Sequence, residues 1–255
     1  MKSQYLLGML RDVSFDAINS IHYWRHNLSG NKVVKTYISG QSAHPPVILL
    51  QGFLGTRGVL RPLENHLKGE GRDVISLDLG FFNIADIRSS AHILQLKIEK
   101  IIERHAQKYG IQQVDIVGHS MGGLIGLYYV KRLGGHSRVR NLVTLGTPFN
   151  GTWACALAML PLGLISKSLW QMLPQSDFLK ELRAHSKDLH QTKVVSISAK
   201  YDTICPPRSC LLRFAKNQTI AVGHGGLLMD QRVFEAVSSY LPETRPSSKI
   251  IRFRK

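Results

Sequence analysis

The clearest chemistry in this chain lies in Gly118-His119-Ser120-Met121-Gly122. A serine with glycine two residues to either side suits a tight turn that lifts a hydroxyl off the edge of a sheet, because the glycines let strand and helix close up around it. The flanks agree: residues 114–117 (V-D-I-V) read as a buried strand and residues 124–130 (L-I-G-L-Y-Y-V) as the buried face of a helix. A serine hydroxyl attacks a carbonyl at neutral pH only when a base takes its proton, and the base needs a third group to fix its tautomer. After a turn of this kind the partners come later, in the order acid, then histidine. Residues 193–198 (K-V-V-S-I-S) read as a strand running into a loop with Asp202, and residues 218–222 (Q-T-I-A-V) as a strand running into Gly223-His224-Gly225-Gly226. Asp202 and His224 are therefore the expected acid and base. Asp177 and Asp188 follow no strand signal, and Asp78 precedes the serine. The oxyanion formed on attack needs two N–H donors. Met121, next after the serine, is the expected donor of one, and Phe53, in the loop Gly52-Phe53-Leu54-Gly55 after strand-like residues 46–51 (P-V-I-L-L-Q), the expected donor of the other.

Over residues 45–241 the chain resembles the α/β-hydrolase superfamily, and within it the bacterial lipases and related esterases. Three motifs carry the resemblance: Gly118 to Gly123, the stretch Leu145-Gly146-Thr147-Pro148-Phe149-Asn150-Gly151-Thr152, and the late loops with Asp202 and His224. The middle stretch is similar to a G-T-P-H-x-G-[ST] segment of lipases. This chain departs from the pattern twice, with Phe149 where lipases usually have histidine and Gln51-Gly52 where the oxyanion strand usually ends in His-Gly. The resemblance implies cleavage of carboxylic esters, lipids among them, by an acyl-enzyme on Ser120. A lipid acyltransferase or thioesterase would use the same intermediate, and a non-catalytic binding protein on this fold is the remaining alternative.

These residues need a scaffold that brings positions a hundred apart to one edge. Strand-like runs at residues 47–50, 74–77, 114–117, 142–145, 194–197 and 219–222 alternate with helical stretches at 91–109, 121–133 and 229–241. Short apolar strands separated by amphipathic helices predict an α/β fold, a mostly parallel sheet with helices on both faces and the site at the carboxyl ends of the strands. A length of 255 residues with 44% apolar content suits a single domain. Residues 151–190 interrupt the alternation as an expected cap or lid. Within them, residues 151–175 carry one charge, Lys167, and place Trp153, Leu157, Leu160 and Leu164 in an apolar series. With Leu54 and Phe149 these are the expected lid and acyl-pocket residues; another buried helical pair is the plainer reading. Pro161 and Gly163 break the run short of a membrane span.

The chain has 33 Lys and Arg against 17 Asp and Glu, a net charge of +16. The C-terminal tail, residues 243–255, holds only five of the basic residues, so the excess is spread over the molecule. Attraction to an anionic membrane surface is one account of the charge, and a solvated basic face is the plain one. No nucleic-acid module accompanies it, so nucleic acid is not an expected partner. Residues 1–30 read as an N-terminal helical extension with Leu6, Leu10, Val13, Ala17, Ile21 and Trp24 on one stripe, expected to pack against the body rather than lie on a membrane. The start lacks a convincing secretory pattern, which with three cysteines and no metal-ligand spacing points to a cytoplasmic protein, peripheral to the membrane at most. No phosphate loop or dinucleotide fingerprint is found, so neither cofactor nor metal is expected. Oligomeric state is not readable from these features.

Overall fold

Five runs of apolar and β-branched residues and one polar edge run build an all-parallel sheet in a computed structural model of the protein, which describes residues 18–30, 38–39, 42, 44–79, 84–156, 166–184 and 191–241. The strands are β1 (Val47–Leu50), β2 (Val74–Ser76), β3 (Val114–His119), β4 (Val139–Leu145), β5 (Lys193–Ala199) and β6 (Lys216–Ile220). Their order is β2-β1-β3-β4-β5-β6, so the central strands are β1, β3, β4 and β5. Every pair is parallel. Side chains alternate between two apolar layers, as the pleat requires. Ile48, Leu50, Ile116 and Leu142 enter one cluster, while Val47, Leu49, Val117 and Val143 enter the other.

Helices cover both layers. On the first lie α3 (Ile87–Tyr109), α4 (Met121–Arg132), α5 (Lys167–Gln171) and α6 (Asp177–Arg183); on the second lie α2 (Arg61–Gly69) and α8 (Gln231–Tyr240). A short α7 (Pro207–Cys210) follows the acid loop. Helix α3 begins four residues before its apolar pattern predicts, because Asp86 accepts from the Arg88 and Ser89 amides at 2.8 and 3.3 Å and so starts the helix. Gly110 ends it with a φ of 66°. Strand β6 also begins earlier than expected. It is an edge strand with a polar run, Lys216, Asn217 and Thr219 exposed and Gln218 half-buried, so its register on β5, from Val195↔Lys216 to Ala199↔Ile220, rather than hydrophobicity, sets its limits.

The N-terminal helix α1 (residues 18–28) corrects a sequence expectation. Of the expected stripe, Leu6, Leu10, Val13 and Ala17 lie outside the described residues, Ile21 faces outward at 68% exposure, and Trp24, although 60% exposed, stands at the edge of a cavity rather than in the core. The face turned to the body is instead Asn19, Ser20, Tyr23 and Asn27: Tyr23 packs against the second apolar layer, and Asn27 accepts from the Thr56 amide on the loop after β1. All three cysteines are buried and free.

Candidate active site

Ser120 sits between the end of β3 and the start of α4 with φ 52° and ψ −123°, a backbone conformation that side-chain-bearing residues seldom adopt. The turn holds because its neighbours are stripped of side chains. A Cβ on Gly118 would lie 2.6 Å from the Gly123 nitrogen, and one on Gly122 would lie 2.6 Å from the Leu50 oxygen. The Ser120 amide donates to the Leu145 carbonyl at 2.7 Å, and the Thr147 hydroxyl donates to the Ser120 carbonyl at 2.9 Å. The G-T-P stretch after β4 thus braces the strained serine from the next strand.

The loop after β5 brings Asp202 to the same edge with its carboxylate fully enclosed. Oδ1 accepts from the amides of Ile204 at 2.9 Å and Cys205 at 2.7 Å, and Oδ2 accepts from His224 Nδ1 at 2.6 Å. With Nδ1 donating, the neutral imidazole has its lone pair on Nε2, the tautomer a general base requires. The ring of His119 lies 4.7 Å from that of His224, and its Nε2 donates to the His224 carbonyl at 3.4 Å. Burial, and secondarily the neighbouring His224, push the His119 pKa well down, so this second imidazole stays neutral. The Cys205 thiol is driven well up, first by burial and then by Asp202.

Ser120 and His224 face one cavity of about 530 Å³. Phe53 and Leu54 form its wall on the β1 side, and a Cβ on Gly52 would lie 2.8 Å from the Ser120 Cβ, so this loop runs directly beside the serine. Met121 is the first residue of α4, where an N–H has no acceptor within its own helix. Leu169 and Met172 close the cavity from the α5 side, and Cys155 and Ile204 add further apolar surface.

Several expected pocket residues fall elsewhere. Phe149 is 1% exposed and packs in the core beneath, leaving its neighbour Pro148 on the wall. Trp153 points out at 71% exposure, between wall residues Thr152 and Ala154. Leu157, Leu160 and Leu164 lie outside the described residues. Sequence reasoning misses a whole wall: Ser20, Tyr23, Trp24 and Asn27 of α1 line the cavity, and burial pushes the Tyr23 phenol up to about 12. The apolar stripe of α1 is visible in the sequence, but nothing local says that the helix reaches the serine. Among the described residues no cluster of three or more His, Cys, Asp or Glu is arranged to hold a metal ion.

Comparison with known proteins agrees with this architecture. A Bacillus licheniformis lipase in its mature form superposes with a TM-score of 0.68 at 16% identity, over 83% of this chain and 96% of that one. Lipase B of Aspergillus fumigatus superposes at 0.65 with 19% identity, over 83% of this chain and 56% of its own. At such identities the likeness is one of fold. Residues 45–208 match the alpha/beta hydrolase fold family over more than half of the sequence, including strands β1 to β5, the serine turn and the acid loop, and the chain accordingly belongs to that family.

Proposed function

We propose that this protein is a serine hydrolase that cleaves carboxylic ester bonds, those of lipids in particular, through an acyl-enzyme on Ser120. The observation that carries this reading is that the Asp202-bound imidazole of His224 and the strained Ser120 share one cavity. In the first half-reaction His224 Nε2 takes the hydroxyl proton as Ser120 Oγ attacks the ester carbonyl. The Phe53 and Met121 amides hold the oxyanion, and the leaving alcohol departs with the proton from the imidazolium. Water repeats the sequence on the acyl-enzyme, and the Asp202 carboxylate orients His224 and balances its transient charge.

Lipid esters are favoured because the cavity wall offers mostly apolar side chains, Phe53, Leu54, Leu169, Met172 and Ile204 among them. Two superposable proteins are lipases by name, which supports the same substrate class. Segment 151–190 serves in this reading as the cover of the acyl site. A membrane surface is the proposed place of work: Ile21 and Leu28 of α1 and Trp153 lie exposed, each next in the chain to a residue that lines the cavity, on a chain of net charge +16. Among the described residues no helix is long and apolar enough to cross a membrane, so such contact would be peripheral.

The test is labelling with a fluorophosphonate together with hydrolysis of nitrophenyl esters from two to eighteen carbons. Wild type should label and turn over, and Ser120→Ala should do neither while keeping its melting temperature. Equal turnover by Ser120→Ala would remove the serine from the mechanism.

A further inference from the structure

The loop that carries Phe53 adopts a conformation its own sequence does not favour. Residues 52–55 form a reverse turn closed by the Gly55 amide on the Gly52 carbonyl at 3.1 Å, with Leu54 in its third position at φ 54°. Positive φ at that position is ordinarily glycine's, because a Cβ there crowds the backbone. Relaxing Leu54 to negative φ would swing the peptide between Phe53 and Leu54, one peptide away from the Phe53 N–H. Something outside the loop must hold it.

Asn27, near the end of α1, makes three hydrogen bonds to this loop. Its Nδ2 donates to the Leu54 carbonyl at 3.2 Å, its Oδ1 accepts from the Thr56 amide at 2.8 Å, and its own carbonyl accepts from the Thr56 hydroxyl at 2.8 Å. The helix end is seated tightly on the next turn: a Cβ on Gly58 would lie 2.1 Å from the His26 carbonyl oxygen and 2.2 Å from Ser29 Oγ. The bonds span 27 and 29 residues, so they form only once α1 docks on the rim of the sheet. The same Asn27 lines the cavity that holds Ser120.

We infer that Asn27 is a positioning residue for ester hydrolysis, clamping the loop from α1 so that the Phe53 N–H stays aimed at the developing oxyanion. This rests on the serine-hydrolase reading above. A single preorganised donor at such a site is worth about 100- to 1,000-fold in rate, and displacing rather than deleting one costs less. Asn27→Ala should lower kcat for a soluble nitrophenyl butyrate by about tenfold or more, with KM changed by about twofold at most, since the interaction strengthens only in the transition state. Asn27→Asp keeps the acceptor for Thr56 but cannot donate to Leu54, and should fall between.

The decisive measurement uses full-length protein, with rates expressed per site titrated by a fluorophosphonate. It is paired with the affinity of an alkyl boronic acid, which imitates the tetrahedral intermediate. Loss of boronic acid affinity in step with the loss of kcat/KM supports the clamp. Wild-type kcat per titrated site in Asn27→Ala, or a lowered kcat with undiminished boronic acid binding, overturns it while leaving the serine mechanism standing. Should Asn27→Ala unfold, Thr56→Val removes one of the three bonds and is held to the same two readouts. A wild type that neither labels nor hydrolyses would overturn the serine mechanism, and the role of Asn27 with it.

Discussion

Replacing Asp202 with asparagine is the sharpest perturbation the site allows, because the surroundings dictate how the new amide must lie. Oδ1 of Asp202 faces two backbone donors, Ile204 N at 2.9 Å and Cys205 N at 2.7 Å, and only an oxygen can satisfy them. The amide oxygen of the introduced side chain would therefore occupy that side, which turns its NH2 toward His224 Nδ1 at the present 2.6 Å contact. Nδ1 must then accept, so the imidazole proton moves to Nε2, where it blocks the lone pair that should receive the Ser120 proton. The wrong tautomer in a serine, histidine and aspartate triad lowers kcat by about 10,000-fold, roughly 5 kcal/mol of transition-state stabilisation. The variant should fold normally, since size and both backbone hydrogen bonds are kept. Turnover of nitrophenyl butyrate at neutral pH, with the melting temperature as a control, measures the effect. A folded Asp202→Asn protein within about tenfold of wild type would refute the assignment of His224 Nε2 as the base.

Gly118→Ala should lower the unfolding free energy by about 1–3 kcal/mol in denaturant titration, because the added methyl meets the rigid backbone of Gly122 and Gly123 at 2.6 to 2.7 Å. Met172→Trp should act on selectivity rather than chemistry: a shelf that keeps two methylenes of an acyl chain out of the cavity costs about 0.8 kcal/mol each, so kcat/KM for a decanoate ester should fall about tenfold relative to the acetate. An unchanged chain-length profile would place the acyl group elsewhere. Lys131, whose Nζ donates to the carbonyls of Leu182 and Ala184, is held down at about 8 by burial and secondarily by Arg132, against its ordinary 10.5. Between those two values the unfolded chain binds the extra proton, so this residue makes stability rise as pH rises from 8 toward 10.5. Lys131→Met should remove that part of the slope, checked by denaturant titration at both ends of the window.

Local pattern alone reaches far in this chain. Strands β1 to β5, the glycine-flanked serine turn and the loops bearing Asp202 and His224 are all legible because each depends on contacts within a few residues: a buried run, a close backbone approach, a strand exit. Where position depends on a partner distant in sequence, the pattern fails. The limits of β6 follow its register on β5 rather than its apolar residues. Phe149 follows the same stretch as Pro148 yet turns into the core, because side chains on adjacent residues diverge. The neutral state of His119 depends first on complete enclosure and then on His224, 105 residues away. Helix α1 shows the division most clearly. Its helical spacing is a property of the sequence, but which face turns inward, and that Asn27 there meets Leu54 and Thr56, is decided only when the sheet has formed a rim for it to dock on. Periodicity records which residues share a side of a helix; only packing determines what that side touches.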